Sequence, residues 1–92
     1  MAELLKIPRL GEDIELLQDD GIYFLYHRFG NTVLRLKNEV AVDIVKNIDG
    51  TNSISSIIEI IMGKYQVSDI SELENDIVEL LSILQNEDFV VF

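Results

Sequence analysis

The hydrophobic pattern of the chain changes period near Lys37, and that change limits the fold more than any other feature. From Ile14 to Leu36, apolar residues come in short runs separated by turn residues, as in strands. From Asn38 onward they recur three and four residues apart, as in helices. Ile14-Glu15-Leu16-Leu17-Gln18 precedes the turn Asp19-Asp20-Gly21, whose glycine can take a positive φ in a hairpin. Ile22–His27 follows, rich in aromatic and branched residues, and the turn Arg28-Phe29-Gly30-Asn31 leads into Thr32–Leu36. The expectation is an antiparallel meander of three strands, which is marginal in water unless something covers one face.

The second half supplies that cover. Asn38 is placed to cap a helix carrying Val40, Ala41, Ile44, Val45 and Ile48, with Gly50 as its C-terminal cap. Ser53 opens a helix carrying Ile54, Ile57, Ile58, Ile61 and Met62 that closes near Gly63. Ser71 with Glu74 fits a capping box at the head of the longest helix, about Ser71–Gln85. Phe89-Val90-Val91-Phe92 is too apolar for solvent and should fold back onto the domain. The predicted class is α+β and winged-helix-like: a three-stranded antiparallel sheet followed by three helices. It forms one domain over residues 1–92, with 1–13 a loosely ordered lead-in.

Composition narrows the function. With 92 residues and 48% apolar content the chain can build one core and not two. The net charge of −10, from 17 acidic and 7 basic residues, argues against a nucleic-acid partner, whose phosphates need a basic surface. Cysteine is absent and His27 is the one histidine, so neither a thiolate or histidine metal site nor a cysteine nucleophile is expected. No apolar run approaches the roughly 20 residues of a membrane span, and Met1–Leu10 has no secretory h-region. There is no Asp-Ser dipeptide for a carrier-protein attachment site and no G-x-x-x-x-G-K phosphate loop. The expectation that remains is a small, soluble, acidic cytoplasmic domain without metal or cofactor, and not an enzyme.

Several local sequences point further. Asn38-Glu39-Val40-Ala41-Val42-Asp43-Ile44-Val45 resembles the N-E-x-A-x-x-I-φ helix of PqqD-like proteins, where φ is apolar. Asp49-Gly50 followed by Ser53-Ile54-Ser55-Ser56-Ile57-Ile58 is similar to their D-G-x-x-S-φ-x-x-I-φ segment. Tyr65 with Val67, Asp76-Ile77-Val78-Glu79-Leu80-Leu81 and Phe89-Val90 continue the series, which covers roughly Ile14 to Val91. Two departures stand out: Lys37 where an apolar residue is usual, and Asp88 in place of a usual glycine. The resemblance implies a recognition element of pathways that make and modify ribosomal peptides. In such elements the precursor's leader adds as a strand beside the third strand, with side chains in a groove against the third helix. A partner enzyme (a radical SAM protein, a protease or a cyclase) does the chemistry, and neither nucleic acid nor membrane takes part. On this sequence the implied binding residues are Thr32, Val33, Leu34, Arg35 and Leu36 on the strand and Asp76, Leu80, Ile83 and Leu84 on the helix.

Two features bear on that implication. The third helix carries an apolar arc about 200° wide, where an ordinary surface helix needs roughly 100°. Either one flank lines a groove or the tail Phe89–Phe92 covers the surplus. The third strand has Arg35 as its one charge and no proline, so one edge is poorly guarded. That suits strand addition, and it equally suits burial by the following helix or by a second copy in an adaptor module. Asp76 is either an acceptor for a basic group of the leader or a solvated carboxylate. Arg35 could meet an acidic residue of the leader or simply face water. His27 reads as a surface residue at a strand end, and the spread of acidic residues as a solvated face that could draw a basic leader.

Overall fold

The computed structural model describes residues 2–30 and 32–92. A 3₁₀ turn at Ala2–Leu5 leads to β1 (Arg9–Leu10), then β2 (Ile14–Asp19), β3 (Ile22–His27) and β4 (Val33–Leu36). Three helices follow, α1 (Glu39–Lys46), α2 (Ile54–Lys64) and α3 (Ile70–Asn86), and β5 (Val90–Val91) closes the chain. β2, β3 and β4 form the expected antiparallel meander in that order. The β2–β3 turn is two residues long, with Asp20 at φ 53° and Gly21 at φ 79°, the paired positive φ of a type I′ hairpin. Asn31, in the second expected turn, lies outside the described residues.

Helix starts follow local chemistry, and Asn38 and Ser53 cap α1 and α2 as their sequence positions predict. The Asn38 carboxamide oxygen accepts from the Ala41 N–H at 2.8 Å, and the Ser53 hydroxyl from the Ser56 N–H at 3.1 Å. The third start is corrected: Asp69, not Ser71, caps α3, its carboxylate accepting from the Glu72 N–H at 3.1 Å. An Asp two residues upstream is as good a cap as Ser, and it lets Ile70 join the helix. Gly50 is also corrected. α1 stops at Lys46 with Asn47 as its cap, and Gly50, at φ 84°, serves the next turn. There the Asp49 carboxylate accepts from the N–H groups of Thr51 and Asn52.

One core joins sheet and helices. Ile14, Leu25 and Leu36 from the sheet meet Ile44, Val45, Ile57, Ile61, Ile77, Leu81 and Leu84 from the helices. The tail folds back, burying Phe89 and Val90. The lead-in is not loose: Arg9–Leu10 pairs antiparallel with Val90–Val91, the Gly11 N–H donates to the Phe89 carbonyl at 3.2 Å, and Pro8 is buried. Two-residue strands have no periodicity to read, so this small second sheet left no trace in the pattern. His27 is likewise no surface residue. It is 9% exposed, stacks on Phe89 with ring centroids 4.5 Å apart, and its Nε2 donates to the Glu87 carbonyl at 3.1 Å. Its Nδ1 faces the Asp13 carboxylate at 3.4 Å, so one side chain ties the lead-in, the sheet and the end of α3 together.

Candidate functional site

The free edge of β4 can be resolved to single backbone groups. The His27 N–H donates to the Thr32 carbonyl at 3.0 Å, continuing the register in which Leu25 faces Leu34 and Tyr23 faces Leu36. Hydrogen-bonded pairs alternate in an antiparallel ladder, so Thr32, Leu34 and Leu36 turn their backbone groups toward β3. Val33 and Arg35 therefore present theirs outward, where no other strand of the described residues pairs with them. Side chains alternate the other way. Leu34 and Leu36 point to the core, while Val33, 55% exposed, and Arg35 sit on the outer face of the sheet.

α3 divides its apolar arc between two tasks. Ile77, Leu81 and Leu84 are buried in the core. Val78, Ser82 and Gln85 on one flank line a small crevice with Phe92 and Lys6, so the tail covers that side. On the opposite flank Leu80 is half-buried, Ile83 is 43% exposed and Asp76 is exposed. The tail thus accounts for one flank of the wide arc, and the other flank is left open to solvent. Leu80 and Leu34 both pack on the rim of the same core. Leu84, at 0% exposure, has no surface to offer a peptide and leaves the candidate site; its angular position lies between Ile77 and Leu80 rather than on the open flank. Leu36 is buried too, with its backbone paired to Tyr23, so it shapes the edge from beneath.

A second cluster, at the far end of β4, went unread because its members are distant in sequence. The Tyr65 hydroxyl donates a short hydrogen bond to the Asp43 carboxylate, and Lys64 Nζ approaches the same carboxylate at 3.0 Å. The tyrosine hydroxyl holds the Asp43 carboxyl below its ordinary value, with Lys64 adding to the effect. The same bond pushes the Tyr65 hydroxyl up to about 12. This pairing locks the end of α2 to α1. Among the described residues no group of three or more His, Asp or Glu side chains is placed to hold a metal ion. No helix there is long and apolar enough to cross a membrane.

Comparison with known proteins gives the chain a family and its fold solved counterparts. The family model described as coenzyme PQQ synthesis protein D (PqqD) matches residues 18–90, and the chain belongs to that family. A solved structure described as lasso peptide synthetase B1 complexed with the leader peptide superposes with a TM-score of 0.80 at 22% identity, covering 95% of this chain and 100% of that one. TbiB1 in complex with the TbiA(beta) leader peptide superposes with a TM-score of 0.77 at 21% identity, covering 89% and 93% respectively. At such identities the likeness concerns the fold. Nothing among the curated proteins matches the chain.

Proposed function

We propose that this chain is a non-catalytic recognition domain that holds the leader of a ribosomally made precursor peptide and presents it to a separate modifying enzyme. The observation that carries the reading is the β4 edge, with the backbone groups of Val33 and Arg35 turned outward, together with the exposed Ile83 and Asp76 and the half-buried Leu80 of α3. A peptide strand added there gains backbone hydrogen bonds, each worth about 0.5–1.5 kcal/mol net, and alternate side chains find apolar surface. Family membership and the two leader-peptide complexes of similar fold support the same reading. A carrier of this kind needs no metal or cofactor, and it must bind weakly enough to release its peptide.

The test is a titration of isotopically labelled protein with the leader of a short precursor encoded beside it, followed by backbone amide shifts. The expected shifts fall in residues 32–36 and 76–87. Leu80→Ala should weaken binding with its amide spectrum otherwise intact. Shifts in the same residues that appear on concentrating the protein alone, and not with peptide, would replace the reading with self-association through that edge.

A further inference from the structure

The basic residues of this acidic chain are not spread out. Of its 7 lysines and arginines, four (Arg35, Lys37, Lys46 and Lys64) line one cleft of about 520 Å³ between the β3–β4 end of the sheet, α1 and the end of α2. Tyr23 and Leu36 form part of its wall. Two acids, Glu39 and Asp43, also line it, and Asp43 is already taken by Tyr65 and Lys64. None of the ion pairs among the described residues engages Arg35, Lys37 or Lys46. Lys46 is held over the Tyr23 ring, its Nζ 4.9 Å from the centroid, which fixes a cation at the cleft without neutralising it. On a molecule of net charge −10, such a cluster offers an incoming carboxylate local attraction.

The position of the cleft says which carboxylate. Arg35, Leu36 and Lys37 belong both to its wall and to the end of β4. A strand laid on the β4 edge that continues past Leu36 arrives at the cleft's rim. We propose that the cleft takes an aspartate or glutamate side chain of the bound peptide, at the point where that peptide overruns the end of β4. The substrate class is then a precursor whose strand-forming segment is flanked by an acidic residue, not the basic leader that the acidic surface by itself suggests. A carboxylate fixed at one end of the edge also sets register and direction, which backbone hydrogen bonds alone leave free to slip by two residues.

This inference rests on the peptide-binding reading, and one experiment separates their failures. Labelled protein is titrated with the leader and with a copy in which every Asp and Glu becomes Asn or Gln. Both peptides should shift residues 32–36. Only the acidic one should shift residues 37, 46 and 64–65, and it should bind about tenfold more tightly, the scale of one or two charge-assisted contacts. The double variant Lys37→Gln, Lys46→Gln, exposed at both positions, should remove that advantage and leave the neutral peptide's affinity unchanged. Equal affinity of both peptides for the unaltered protein, with β4 shifted, overturns the cleft assignment and leaves the peptide reading standing. A bound leader with no carboxylate overturns it in the same way. Absence of β4 shifts with either peptide overturns both.

Discussion

The β2 and β4 edges of the sheet share one backbone geometry and are dressed differently. The Arg28 N–H donates to the Asp13 carbonyl at 2.9 Å, so by alternation Ile14, Leu16 and Gln18 turn outward along β2. The first of these is already used, because the Ile14 N–H donates to the Gly11 carbonyl at 3.1 Å. The lead-in that supplies Gly11 is itself clamped to the tail through β1, β5 and Phe89. The rest of the β2 edge is flanked by the exposed acids Glu15, Asp19 and Asp20. Along β4 there is no acid: Val33 and Arg35 turn outward, and Lys37 follows. A short sheet thus protects one edge with its own termini and with charge and leaves the other open, instead of guarding both. Exposure of an edge is informative here because the same molecule shows what protection looks like.

The largest expected effect breaks the protected side. Phe89 is 0% exposed, stacks on His27, and gives its carbonyl to Gly11. Phe89→Ala should cost about 3–5 kcal/mol of stability, the usual range for a large buried aromatic, measured by chemical denaturation. The residual folded protein should show faster amide exchange at Gly11 and Ile14 than at Leu25, as the clamp over the β2 edge opens. A loss of stability with Ile14 still protected would mean that the edge is closed by something other than the tail.

A smaller and more selective effect comes from proline on each edge in turn. Val33→Pro removes an outward N–H and places a ring against any added strand, while the bonds to β3 run through Thr32, Leu34 and Leu36 and survive. Peptide affinity should fall by more than about tenfold, since one hydrogen bond and the fit of the added strand are lost together. Gln18→Pro makes the same change on the β2 edge and should leave affinity as it was. If the two variants behave alike, the edges are equivalent and the assignment of β4 fails.

What could be read from the sequence follows the reach of the interactions involved. The hairpin at Asp20-Gly21 and the caps at Asn38 and Ser53 are contacts within a few residues, and they were legible. The cap of α3 was displaced by two residues because Asp69 and Ser71 are both good cap formers and the local sequence does not choose between them; in the fold the Asp69 carboxylate takes the Glu72 N–H and the exposed Ile70 joins the helix. His27 was misread because its partners, Asp13 and Glu87, lie 14 and 60 residues away. The cationic cleft was invisible for the same reason, being assembled from the sheet and two helices. The site was half legible. Val33, Arg35, Asp76 and Ile83 stand on open surface and Leu80 is half-buried on the rim of the core, whereas Leu84 shares their helical arc and is spent on the core.

The smallest expected effect returns to the protected edge, at Asp88. α3 ends in a paired pattern: the Asp88 N–H donates to the Gln85 carbonyl at 3.1 Å and the Phe89 N–H to the Leu84 carbonyl at 2.8 Å. Such a terminus requires a left-handed residue in the Asp88 position, and Asp88 adopts φ 63° there. The departure from the usual glycine therefore leaves the turn intact and charges it a strain of about 1 kcal/mol, since a side chain crowds the following carbonyl in that conformation. Asp88→Gly should relieve the strain, less the greater entropy glycine loses on folding, for a net gain of a few tenths to about 1 kcal/mol. Because the turn aims Phe89 into the core, the gain should appear as slower amide exchange at Gly11 and Ile14, with peptide affinity at β4 unchanged. An Asp88→Gly protein that is less stable than the parent would show that the carboxylate itself holds the turn, and that strain at this position is not what limits the clamp.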